Sequence, residues 1–195
     1  MEISKHQVRA IEKIHVSLTR AMSVHYAESV GRVVDAEIAF VDHTTYHEFI
    51  LSLKNPGCAY TFTIEALGGP AIFDYGLPVA CALVNYASGG KTADLPADTS
   101  TAMDKLRDER KVIHKILTRD LASLEAAWKP LGDIRMSDAE LETDPNGMKI
   151  AEPEDTVILV AVEVNGPDFS GLVTVCYPDA TLESVLAKLG EMDLG

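Results

Sequence analysis

Apolar residues at Ile11, Ile14, Leu18 and Ala21 recur at three- and four-residue steps, the spacing of one helical face. With Ser4 as N-cap and Gly31 as C-cap, the pattern predicts a helix over about 4–31. A β-forming run at 33–41 predicts a strand. Thr45-Tyr46-His47-Glu48 has the form of a capping box for a short helix to Leu53, which Asn55-Pro56-Gly57 stops. Alternating Tyr60, Phe62 and Ile64, the turn Gly68-Gly69-Pro70 and a return over 71–75 predict a hairpin. Pro78 suits the first turn of a helix ending near Ser88.

The second half runs in the same order. Leu106, Ile113, Leu117, Leu121, Leu124 and Trp128 mark one long helix over 103–128, and a strand follows at 135–142. Asp144-Pro145-Asn146-Gly147 is turn chemistry where the first half has its short helix. Strands are predicted at 156–164 and 170–176, and a last helix over 179–189 stops at Gly190. The expected fold is therefore α/β: a pseudo-two-fold, duplicated α/β/α three-layer domain with a largely antiparallel sheet. Two long helices are expected on one face and shorter helices on the other.

The halves also share words. Ile14-His15-Val16-Ser17-Leu18-Thr19-Arg20 returns as Ile113-His114-Lys115-Ile116-Leu117-Thr118-Arg119, identical at five of seven positions and 99 residues apart. Asp35-Ala36-Glu37-Ile38 returns as Asp138-Ala139-Glu140-Leu141, and the 72–89 pattern returns at 173–190. Three echoes in one order point to a single domain over 1–195, with half-repeats at about 4–89 and 103–190 joined by an 89–102 loop.

Charge narrows the partners. Seventeen Lys and Arg against 30 Asp and Glu leave a net −13, which repels nucleic acid and anionic membrane surfaces. No apolar run approaches the roughly 18 residues of a membrane-spanning helix. Cys58, Cys81 and Cys176 are odd in number and lack a CxxC spacing, so they read as reduced, buried cytosolic thiols.

Four constellations invite chemistry. His43 and His47 are four apart, but the cap at Thr45 puts them on different elements, and no metal site is expected. Cys176 precedes a helix, where a thiol is activated; Tyr75 stands at the matching place in the first half, which favours a buried strand-end thiol. Gly89-Gly90-Lys91-Thr92 imitates the end of a P-loop but follows a helix instead of joining strand to helix, so no nucleotide cofactor is expected. This loop is the one sizeable element without an internal counterpart. Finally, Glu12 and His15 are neighbours on the first helix, an arrangement able to orient an attacking water. The second copy has Lys111 and His114, keeping the His and losing the base. The alternative is that the repeated His and Arg are polar partners where the two long helices meet.

Several motifs together resemble the middle domain of the flagellar motor switch FliM family, within the CheC/CheX/FliY superfamily. They are Val34-Asp35-Ala36-Glu37-Ile38 with Thr45-Tyr46-His47-Glu48-Phe49, Leu124-Glu125-Ala126-Ala127-Trp128, Glu142-Thr143-Asp144-Pro145 with Ile150-Ala151-Glu152-Pro153, and Cys176-Tyr177-Pro178 with Leu182-Glu183. The resemblance implies a non-enzymatic component of the flagellar ring, peripheral to the cytoplasmic face of the inner membrane, that relays changes of rotation direction. It implies contact with the middle domain of FliG through a Gly-Gly-x-Gly loop falling on Gly89, Gly90, Lys91 and Thr92, with Thr in place of the last Gly. Neighbouring FliM copies are expected alongside, and FliN and phosphorylated CheY are expected to bind parts of the full protein beyond this domain. The alternative the resemblance offers is a CheC/CheX-like phosphatase of phosphorylated CheY. Its catalytic Glu and Asn fall on Glu12 and His15, then Lys111 and His114, which is a degenerate set.

Overall fold

The computed structural model describes residues 2–195. The first helix, α1 (Lys5–Val30), begins at a full capping box. The Ser4 hydroxyl accepts from the Gln7 amide at 3.1 Å while the Gln7 side chain accepts from the Ser4 amide at 2.9 Å. Gly31 closes the helix in the left-handed conformation, φ +76°. Strand β1 (Asp35–Thr45) runs longer than its sequence pattern because it pairs with another strand along its whole length. Helix α2 (Tyr46–Ser52) is capped by Thr45, whose hydroxyl accepts from the Glu48 amide. The Glu48 carboxylate does not reach back as the box requires; it accepts from the Thr44 hydroxyl instead. The chain continues through β2 (Cys58–Ile64), β3 (Gly69–Tyr75) and α3 (Leu77–Ala87).

The predicted 103–128 helix is two helices. Asp98 caps α4 (Thr99–Asp108), and α5 (Arg110–Trp128) follows after Glu109 leaves helical geometry at φ −106°, ψ 28°. The break gives the two apolar stripes different bearings, Ala102 and Leu106 packing toward α3 and the Ile113 stripe toward α1. It also shortens the connecting loop, since the helix begins at Thr99 and not after residue 102. Strands β4 (Met136–Glu142), β5 (Thr156–Asn165) and β6 (Ser170–Pro178) precede α6 (Asp179–Glu191). Gly190 lies inside α6 instead of stopping it, and Met192 takes the cap.

All six strands form one antiparallel sheet in the order β1-β5-β6-β3-β2-β4. That order is unchanged when β1 is exchanged with β4, β2 with β5 and β3 with β6. Each half contributes a hairpin, and each half's first strand pairs with the hairpin of the other half. The hairpins meet at the centre, Ile72 opposite Cys176 and Tyr75 opposite Val173. Neither half closes its own sheet, so the hydrogen-bond ladder itself ties the halves together.

Strand alternation divides the core. Tyr60, Phe62, Phe73, Tyr75, Val160, Val162, Val175 and Tyr177 face α1, α3, α5 and α6. Ala59, Ile72, Val157 and Cys176 face the other way, toward Tyr46 and Phe49 of α2 and Met148. The three layers are therefore unequal. Helices α3 and α6 join the long helices, because their apolar faces have the larger apolar surface to cover there, and the opposite face is left to α2 and the segment around 145–153. Alternation also re-aligns the repeat. Tyr75 shares its face with Tyr177, not with Cys176, one position off the match drawn from sequence.

Candidate functional site

The two tyrosines at equivalent strand ends each reach a buried polar group beneath a long helix. Tyr177 meets His15, which is fully buried. His15 Nδ1 lies 2.7 Å from the Ile11 carbonyl, an acceptor only, so that nitrogen carries the proton. Nε2 then accepts from the Tyr177 hydroxyl at 2.6 Å, and the same hydroxyl accepts from Trp128 Nε1 at 3.1 Å. Every polar atom of the chain Trp128–Tyr177–His15–Ile11 has a partner. Burial lowers the His15 pKa from 6.5 to about 4, so the ring is neutral at pH 7.

Tyr75 meets Asp120, whose side chain is also fully buried. The Tyr75 and Tyr26 hydroxyls both donate to Asp120 Oδ2, Tyr26 at 2.6 Å. His25 Nε2 lies 2.9 Å from Oδ1, outside the alignment of a hydrogen bond, so the contact is one of charge and dipole. Burial and the adjacent carboxylate push both tyrosine pKa values well above the ordinary range, which keeps the hydroxyls as donors. Nothing in the doubled phrase announces Asp120. The signal lies in the stripe: an acid between Leu117 and Leu124 at helical spacing occupies a buried position and requires partners.

These networks separate the phosphatase-like positions. Glu12 is exposed on α1 while His15, three residues on, points into the core. His114 is exposed, its ring centre 6.1 Å from that of Tyr60. Lys111 lines a surface groove of about 590 Å³ between α1 and α5, with His25, Glu28, Lys115 and Arg119. The four residues occupy four different surroundings, and the fold does not assemble them around a common point. Of the repeated His and Arg, Arg119 does bridge the long helices, 3.0 Å from Glu28; His15 instead turns inward.

The remaining constellations resolve locally. His43 sits in β1 and His47 in the first turn of α2, both exposed. Among the described residues no three His, Cys, Asp or Glu side chains converge as ligands would. All three cysteines are free and buried, and burial pushes the Cys176 thiol well up, opposite to activation.

In the 89–93 loop Gly89, Lys91 and Thr92 are exposed, Gly90 is half-buried and Ala93 is buried, and the loop is held at several points. Gly89 adopts φ +96°, a conformation that favours glycine. Gly90 donates to the Asn85 carbonyl at 2.9 Å, and a Cβ there would lie 2.8 Å from that oxygen. Thr92 replaces a glycine of the motif without occupying a positive φ. Asn85 Nδ2 donates to the Thr92 carbonyl at 2.6 Å. Arg32 donates to the Tyr86 hydroxyl at 2.8 Å and lies 3.5 Å from the Lys91 carbonyl. Asp168, in the β5–β6 turn, accepts from the Tyr86 hydroxyl and from the Ala93 amide, both at 2.7 Å. Arg32, Asn85 and Asp168 escape a linear reading because they lie up to 136 positions apart.

The strand exchange between halves, the buried polar groups beneath the long helices and the braced 89–93 loop define a strand-exchanged α/β/α module. The chain belongs to the flagellar motor switch protein FliM family, whose model matches residues 4–194. The flagellar motor switch protein FliM of Borreliella burgdorferi is 32% identical over 192 residues, 96% of this chain and 53% of that protein. The chain spans about half the length of the curated relatives it matches. The crystal structure of the FliM middle domain from H. pylori has a TM-score of 0.83 at 23% identity, covering 95% of this chain and 99% of that one. FliM in the FliG–FliM complex from H. pylori has a TM-score of 0.82 at 23% identity, covering 95% and 100%. Among the described residues no helix is long and apolar enough to cross a membrane.

Proposed function

We propose that this chain is a non-enzymatic rotor module of the flagellar ring, at the cytoplasmic face of the inner membrane, that binds FliG and relays switching of rotation direction. The observation that carries the reading is the 89–92 loop. It lacks a counterpart in the other half, it is exposed, and it is braced against α3 and the β5–β6 turn. Gly89 and Gly90 bring backbone to the surface, and Lys91 and Thr92 offer side chains. A braced loop transmits a displacement instead of absorbing it, so tilting of the domain relative to neighbouring FliM copies moves the bound FliG with it. FliN and phosphorylated CheY act through other parts of the full protein. Family membership and the H. pylori complex support this reading. The burial of His15 and the scatter of Glu12, Lys111 and His114 weigh against a phosphatase of phosphorylated CheY.

The test is an NMR titration of the labelled chain with the middle domain of FliG. Resonance changes are expected at residues 88–94, and Lys91→Glu should weaken binding by about tenfold, as charge reversals at an interface rim do. Saturable binding with those resonances unmoved would place the contact elsewhere. In parallel, faster loss of phosphoryl from phosphorylated CheY on adding the chain would overturn the non-enzymatic reading.

A further inference from the structure

Among the described residues, every hydrogen bond from outside α3 that holds the 89–93 loop comes from two places, Arg32 just past α1 and Asp168 in the turn between β5 and β6. Asp168 is the better placed. Its two carboxylate oxygens are used separately, Oδ1 accepting from Tyr86 at the end of α3 and Oδ2 from the Ala93 amide at the loop's far side, each at 2.7 Å. One carboxylate thus closes the loop from both ends. The turn that carries it is itself fixed. Gly166 donates to the Phe169 carbonyl at 2.8 Å, the Phe169 ring fills the space where a Gly166 side chain would go, and that ring stands 6.3 Å from Tyr86. Arg32 completes the arrangement, 5.9 Å over the Tyr86 ring and bonded to its hydroxyl.

We propose that Asp168 is the positioning residue of the 89–93 loop, fixing its binding-ready conformation to the β5–β6 hairpin of the central sheet. The inference rests on reading that loop as the FliG surface. Because β6 is a central strand and Asp168 is a surface residue, the clip links the loop to the central sheet without being part of its core. The Ala93 amide and the Tyr86 hydroxyl, in that order, hold the Asp168 carboxyl below the ordinary carboxylate range, as expected of an acid whose ionised form is the one in use.

The experiment compares Asp168→Ala, Asp168→Asn and Tyr86→Phe in the full chain by amide hydrogen exchange at Ala93, thermal unfolding, and titration with the FliG middle domain. For Asp168→Ala, exchange at Ala93 should quicken by about tenfold or more, since its acceptor is gone, while the thermal midpoint moves by only a few degrees. Binding should weaken by about tenfold, because the competent loop conformation becomes a minority state. Asp168→Asn, which keeps one carbonyl acceptor, should fall between that variant and the wild type. Tyr86→Phe, which leaves the Ala93 bond intact, should give the smaller exchange effect. Unchanged Ala93 exchange in Asp168→Ala overturns the proposal. Faster exchange with unchanged FliG affinity upholds the clip but removes the loop from the FliG surface, so the two readings fail separately.

Discussion

The buried His15 makes a quantitative prediction about acid stability. Its ring is neutral in the fold, with a pKa lowered to about 4, against 6.5 for an exposed imidazole. The lowered folded value fixes the sign. Between pH 6.5 and about 4 the unfolded chain binds a proton there that the folded chain does not, so stability is fully present above 6.5 and falls as pH drops. The whole shift corresponds to roughly 3 kcal/mol, and the part lost by pH 5 to about 2 kcal/mol. For a chain of this size that is about 4–8 °C in thermal midpoint. The assay is urea unfolding at pH 7 and pH 5 for the wild type and for His15→Leu. The variant starts lower at pH 7, because the Tyr177 hydroxyl loses its acceptor, but its decline between the two values should be shallower by about 2 kcal/mol. Acidic groups far from His15 contribute equally to both proteins and cancel in the difference. Parallel declines, agreeing within about 0.5 kcal/mol, would refute the neutral, desolvated ring and with it the Trp128–Tyr177–His15 chain. An NMR titration of the His15 ring midway near 6.5 would do the same, and would reopen that residue as a group able to handle a proton.

Two further substitutions test the other buried knot and the loop. Asp120→Leu should cost about 3–5 kcal/mol in denaturant unfolding because Tyr26, Tyr75 and His25 all lose their partner, whereas Asp120→Asn, whose amide oxygen still accepts from both tyrosines, should cost far less; equal costs would mean that volume, not polarity, fixes the residue. Gly90→Ala should cost about 1–3 kcal/mol in thermal unfolding, since the added Cβ meets the Asn85 carbonyl, while Lys91→Ala should stay within about 0.5 kcal/mol. A binding loss in Gly90→Asp would therefore mix loop distortion with contact, and Lys91 is the cleaner probe.

The helix and strand periods were legible because they answer to local rules: the Ser4 cap, the Gly31 stop, the alternation through Tyr60 and Phe62, and the turn at Gly68. The doubled Ile-His-x-x-Leu-Thr-Arg located the two long helices for the same reason. It misled about the histidines, because burial on a helix depends on rotation toward a neighbour that sequence spacing does not contain. His15 meets Tyr177 and Trp128 in the core, whereas His114 is exposed beside the Tyr60 ring. The two buried polar groups differ in kind. Under α1 the fold keeps a neutral imidazole with a tyrosine and an indole; under α5 it keeps a carboxylate with two tyrosines and an imidazole. Each tyrosine comes from the strand end that the pseudo-symmetry makes equivalent, Tyr75 in β3 and Tyr177 in β6. Neither polar group is easily replaced singly by an apolar one, because removing one member of its pair strands the other in a dry core. At His15 the proton-accepting nitrogen is already occupied by the Tyr177 hydroxyl. The loop proposed above as the partner surface lies between the halves, where no symmetric counterpart constrains Gly89 to Thr92 and where Arg32, Asn85 and Asp168 supply the hydrogen bonds that brace it.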